Sequence, residues 1–171
     1  MLSLRSSKGI NMNCLLILFS YHHKNTEKIA NVFASILDAQ IKNPQQIGPE
    51  QLQAYDLLGF GSGIYDSKHH RFLFDLIGRL PQVTNRKAFI FSTCGVPGIG
   101  MNAEYVAQNH SQLKERLQFK GYVIVDEFSC LGHNTNSFLR AFGGINKGRP
   151  NAEDLKHAEE FAQNLKGKVL T

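Results

Sequence analysis

The 171-residue sequence has no tryptophan, only three cysteines, and no uninterrupted apolar run longer than Leu15 to Phe19. A helix that crosses a bilayer needs roughly 20 apolar residues, so no spanning segment is expected. The first dozen residues lack the apolar centre of a signal peptide, which makes the cytoplasm the expected location. Cys14, Cys94 and Cys130 are far apart and form no CxxC pair, which excludes a disulfide framework or a cysteine zinc site and predicts reduced thiols. Phosphate-binding GxxxxGK[ST] is missing, and Gly61-Ser62-Gly63 is not the GxSxG of a serine hydrolase. The formal charge is +5, but no Lys/Arg stripe interleaved with aromatics accompanies it, so nucleic acid is not expected as a partner.

What is present fits one folded domain. Hydrophobic residues make up 42% of the chain and charged residues 19%, a balance that disfavours disorder. Residues 1 to 11, MLSLRSSKGIN, carry no periodicity and read as an unstructured leader, leaving 12 to 171 as the domain. Apolar runs alternate with segments of helical spacing. Strands are predicted at Cys14 to Ser20, Gln40 to Lys42, Leu57 to Gly61, Ala88 to Ser92 and Tyr122 to Phe128. Helices are predicted at Thr26 to Leu37, Arg71 to Arg79, Ala103 to Phe119 and Ala152 to Lys166, with at most one helical turn near Pro49 to Ala54. Runs such as CLLILF, AFIF and YVIV have no polar face, the mark of a parallel sheet covered on both sides. The last helix has a capping box, with Asn151 at the cap and Asp154 three residues on.

Ligands of such sheets bind beyond the carboxyl ends of the strands. Three segments there carry unusual residues. The first, Ser20-Tyr21-His22-His23-Lys24-Asn25-Thr26, offers hydroxyls, amides and cations at a helix N-terminus, a combination suited to phosphate. Asn25 or Thr26 could equally be a plain helix cap and the histidines solvated. A metal reading of the two histidines lacks a carboxylate or cysteine at ligand spacing. The second, Gly61-Ser62-Gly63-Ile64-Tyr65, lets backbone approach a flat ligand, with Tyr65 as an aromatic wall, or is only a tight turn. The third, Ser92-Thr93-Cys94-Gly95, is short on bulk and rich in backbone donors, though Cys94 also reads as a packed hydrophobe.

These residues resemble flavodoxins and flavodoxin-like FMN proteins, from Met12 to the end. "SYHHKNT" keeps Ser20, Asn25 and Thr26 of the family's phosphate loop, "GSGIYD" and "STCG" match the loops that flank the flavin ring, and "CLGHNT…FGGINKGRPNAEDLKHAEEFAQNL" is similar to the family's closing segment. The resemblance implies a three-layer doubly wound sandwich with five parallel strands in the order 2-1-3-4-5. It implies FMN as cofactor, the phosphate held by Ser20 to Thr26 and the ring by Gly61 to Tyr65 and Ser92 to Gly95. Main-chain groups at Gly61 to Gly63 would meet flavin N5, and Lys68, His69 and His70 would supply a nearby cation or merely start a helix. Electron transfer between protein partners is the implied function, and a sequence pI near 9.2 points to acidic ones. A nicotinamide-dependent reductase of quinones or other small acceptors would need a pocket built from Ser67 to Phe74 and Cys130 to Pro150. A non-redox module binding another phosphate ligand is the remaining reading.

Overall fold

A computed structural model describes residues 12–170, so the expected leader lies outside the described residues. The strands are β1 Cys14–Phe19, β2 Gln40–Lys42, β3 Leu57–Tyr65, β4 Lys68–His69, β5 Arg86–Cys94 and β6 Tyr122–Leu131. The helices are α1 Asn25–Leu37, α2 Arg71–Arg79, α3 Ala103–Phe119 and α4 Ala152–Leu170. The main sheet is parallel and runs β2-β1-β3-β5-β6. Counting only these five strands, this is the 2-1-3-4-5 order. β4 is an addition that pairs antiparallel with the end of β3; two residues are too few to leave a period in the sequence.

Burial on both faces explains the uninterrupted apolar strands. Leu16, Leu18, Phe89 and Phe91 pack toward α1 and α4, while Leu15, Ile17, Phe60 and Ile90 pack toward α2 and α3. Successive side chains of a strand point to opposite faces, so both sets must be apolar. Phe33 of α1 is fully buried and touches Phe89, Phe91, Phe128 and Phe161 with ring centroids 5.3 to 5.8 Å apart. Burying such a ring stabilises the fold by about 2–3 kcal/mol.

Two sequence readings are corrected at β3. Gly61 and Ser62 are not in a turn: they sit in the middle of the sheet, opposite Leu18 and Phe19 of β1 and Phe91 and Ser92 of β5. A Cβ on Gly61 would lie 2.2 Å from the Phe91 ring, so this glycine makes room for a core phenylalanine rather than for a ligand. The true turn is Asp66-Ser67, both with positive φ (48° and 61°), which returns the chain as the β3–β4 hairpin. The capping box of α4 forms as expected: Asp154 N–H donates to Asn151 Oδ1 at 3.1 Å and Asn151 N–H to Asp154 Oδ2 at 2.8 Å. That helix runs to Leu170, four residues past the expected end, because helical spacing persists through its last turn.

Candidate functional site

The ends of β1, β3, β5 and β6 surround one narrow cavity of about 50 Å³. From the first segment, Ser20, His22, Asn25 and Thr26 line it; from the second, Gly63, Ile64 and Tyr65; from the third, Thr93, Cys94 and Gly95. The three segments therefore do converge. A fourth wall, Gly132, His133, Asn134 and Asn136, follows β6. Ile64, Tyr65, Gly95, Asn134 and Asn136 also border an adjoining slot of about 410 Å³ between the β3–β4 hairpin and the start of α3, so the two spaces share these residues as a common wall.

At the narrow end, α1 begins without a side-chain cap. His23 and Lys24 both adopt the left-handed conformation (φ 53° and 52°), and Lys24 occupies the cap position, so Asn25 and Thr26 are the first helical residues and neither caps the helix. The first-turn N–H donors are thus left without a side-chain acceptor at the positive end of the helix dipole. Asn25 Nδ2 donates to the His133 carbonyl at 2.8 Å, whereas its Oδ1 is buried with no partner. Thr26 and Thr93 hydroxyls meet at 2.8 Å in a buried contact that ties the first segment to the third. Lys24 turns outward to Glu27 at 3.5 Å and His23 stacks on His133 behind the cavity wall, so neither borders the space itself.

At the wider end, the Tyr65 phenol covers Gly63, and its ring stacks with Tyr21 at 5.7 Å. Burial, then the neighbouring Tyr21, pushes the Tyr65 hydroxyl up to about 12, so it stays a neutral donor at any ordinary pH. Asn134 lies over Gly95 and donates to its carbonyl at 2.9 Å. Burial raises the Cys94 thiol above its ordinary value and keeps it protonated.

Ser62 and Ser92, expected at the site, are fully buried and face the sheet interior. Ser62 Oγ accepts the His70 N–H at 3.0 Å and lies 3.0 Å from His69 Nδ1, which fastens the β3–β4 hairpin. His69 is therefore buried rather than a surface cation, and burial followed by His110 holds its basicity well below the usual imidazole range. His70 caps α2 by accepting the Phe72 N–H, the structural role foreseen for it. Ser92 Oγ lies 2.8 Å from His110 Nε2 and 2.8 Å from Ser129 Oγ, and Ser129 Oγ lies 3.3 Å from Cys94 Sγ. His110 Nδ1 in turn lies 3.0 Å from Glu127 Oε2, whose other oxygen accepts from Lys114. The order serine, imidazole, carboxylate resembles a hydrolase triad, but Ser92 and His110 are enclosed and no substrate reaches them. The chain of contacts braces β5, β6 and α3 beneath Cys94. Reading the sequence did not single out His110 or Glu127. A trace of the first is its place on the stripe Val106, His110, Leu113, Leu117 of α3.

Among the described residues, no three His, Cys, Asp or Glu side chains are placed to hold a metal ion, and no helix is long and apolar enough to cross a membrane. A family model described as a flavodoxin domain matches residues 16–132. The chain belongs to the flavodoxin family. An uncharacterized protein of Methanocaldococcus jannaschii is 44% identical over 154 residues, covering 90% of this chain and 98% of that one. Oxidised Flavodoxin 2 from Bacillus cereus shares the fold with a TM-score of 0.67 at 20% identity, covering 91% of this chain and 99% of that one. General stress protein 14 of Treponema denticola, solved in complex with FMN, has a TM-score of 0.59 at 12% identity and covers 93% and 99% of the two chains.

The residues present fit the cofactor that a flavodoxin-like fold implies. The uncapped start of α1 and the hydroxyls of Ser20 and Thr26 suit a phosphate, and the unpartnered Asn25 Oδ1 is an acceptor for a hydroxyl at the same place. The slot flanked by Tyr65 and Gly95 leads away from that end.

Proposed function

We propose that this chain is an FMN-binding redox protein that passes electrons between protein partners. The observation that carries the reading is the convergence of an uncapped helix start and three strand ends on one cavity, beside a slot that shares its Tyr65 wall. FMN, when bound, supplies one- and two-electron chemistry, and the protein supplies grip, orientation and exclusion of water. Ser20, Thr26 and the first turn of α1 would hold the phosphate, and Asn25 a ribityl hydroxyl. Ile64, Tyr65, Thr93, Cys94, Gly95 and Asn134 would hold the ring.

The surroundings of the site favour acidic partners. Between Phe128 and Ala152 the sequence holds Arg140, Lys147 and Arg149 and no Asp or Glu. Arg149 is used internally by Asp154, leaving Arg140 and Lys147 in the same segment of sequence as the exposed rings of Phe138 and Phe142. Exposed aromatics with cations around them are the composition of a docking face for a carboxylate-bearing surface.

The test is the purified protein's reaction after chemical reduction under anaerobic conditions. A carrier gives its electrons to an acidic acceptor protein at a rate that falls steeply with added salt, and consumes no NAD(P)H alone. Steady NAD(P)H turnover with a small quinone would place it among reductases instead.

A further inference from the structure

Beside the phosphate end stands a group of three imidazoles, His22, His23 and His133. His22 and His133 both border the cavity. His23 joins them, its ring 4.5 Å from that of His22 and stacked on that of His133 at 4.4 Å. Thr135 Oγ1 lies 3.2 Å from His22 Nε2 and 2.8 Å from His23 Nε2. His133 Nε2 sits 3.2 Å from the Gly143 carbonyl.

The hydrogen bonds leave each ring free to take a proton. A carbonyl only accepts, so His133 Nε2 carries its hydrogen and Nδ1 is the open site. A hydroxyl accepts twice, so Thr135 can receive N–H from both His22 and His23 once both are charged. What opposes protonation of His23 is the company its ring keeps. Burial, then His133, His22 and Lys28, hold the basicity of His23 below its ordinary value. The nearby carboxylates do little to relieve this: Glu27 is paired with Lys24, and Asp154 with Arg149, whose carbonyl accepts the backbone N–H of His133. No carboxylate borders the cavity. An anion placed there would partner the rings, while the buried, unpartnered Asn25 Oδ1, an acceptor, suits a hydroxyl of the same ligand.

We infer that His22 and His23, bridged by Thr135, and His133, stacked on His23, form a charge-reading clamp that selects the dianion of a terminal phosphate monoester. The inference rests on the FMN reading above for its natural ligand. Binding of the dianion raises the basicity of the rings, so protons are taken up with the ligand. By linkage, affinity then rises as pH falls from 8 toward 6.5. Below about 6 the phosphate itself gains a proton and the gain levels off. One unit of upward shift on a single ring corresponds to about tenfold in affinity.

The experiment measures dissociation constants of FMN and riboflavin between pH 8 and 6.5, and follows the three imidazole titrations by NMR with FMN and, separately, with inorganic phosphate. The expected result is an FMN-to-riboflavin affinity ratio that climbs about tenfold on lowering the pH, with riboflavin unchanged and the imidazole titrations moved upward by either anion. In the variant carrying His22→Gln, His23→Gln and His133→Gln, the ratio becomes flat while riboflavin still binds. A ratio equally pH-dependent in that variant, or imidazole titrations unmoved by both anions, overturns the clamp. If FMN fails to bind but inorganic phosphate still moves the titrations, the cofactor reading falls and the clamp stands.

Discussion

The Thr26 hydroxyl lies 2.8 Å from the Thr93 hydroxyl, and through that buried contact the start of α1 is joined to the end of β5. One residue belongs to the phosphate end and the other to the ring end, so the contact sets their spacing. Replacing Thr26 with Ala removes a donor from the phosphate end and leaves Thr93 unpaired. The expected outcome is about tenfold weaker binding of FMN and a smaller loss for riboflavin, each read by quenching of flavin fluorescence, since only FMN carries the phosphate and a single such hydrogen bond is worth about 1–1.5 kcal/mol.

His110 has no exposed surface and holds Ser92 on one side and Glu127 on the other. His110→Ala leaves a buried hydroxyl and a partly buried carboxylate without their partner. The expected cost is about 2–4 kcal/mol, measured by urea denaturation. His110→Leu, close in size but unable to hydrogen-bond, should recover little of it; full recovery would mean that packing alone matters at this position.

Glu127 ties stability to pH. The hydrogen bond with His110, reinforced by Lys114 and resisted by burial, lowers its carboxyl from 4.5 to about 2. A folded-state value below the unfolded one means stability that is present in full above about 4.5 and lost as the pH falls through the interval down to about 2. The loss is on the order of 2 kcal/mol. Denaturation midpoints at pH 7, 4.5 and 2.5 should fall in that order, and Glu127→Gln should lower the pH 7 midpoint and flatten the acid limb.

Gly61 faces the Phe91 ring too closely for any side chain. Gly61→Ala should destabilise the fold by about 1–3 kcal/mol without changing the number of flavin molecules bound, because the residue serves the core and not the cavity. A thermal melt alongside a flavin titration separates the two effects.

The sequence made the layers legible because parallel strands buried on both faces have no polar positions, and CLLILF, AFIF and YVIV stand out for that reason. It also located the cavity, since Ser20, Asn25, Thr26, Tyr65 and Thr93 all lie at or just past the ends of strands that finish on one side. What stayed hidden has physical causes. Gly61 and Ser62 look like a turn because glycine and serine favour turns, yet here the small residues accommodate Phe91 and His69 across the sheet. Ser92, His110 and Glu127 come together from β5, α3 and β6 with no local spacing to announce them. His133 and Thr135 meet His22 and His23 only because the segment after β6 folds back against the first loop, a separation of more than 100 residues.

The central claim is that the strand-end cavity and its adjoining slot grip FMN. Titrating the cofactor-free protein with FMN, while following the visible spectrum and flavin fluorescence, tests it directly. Saturation is expected at one FMN per chain, with quenched fluorescence and riboflavin bound more weakly. A protein that takes up no flavin, or holds riboflavin as tightly as FMN, contradicts it.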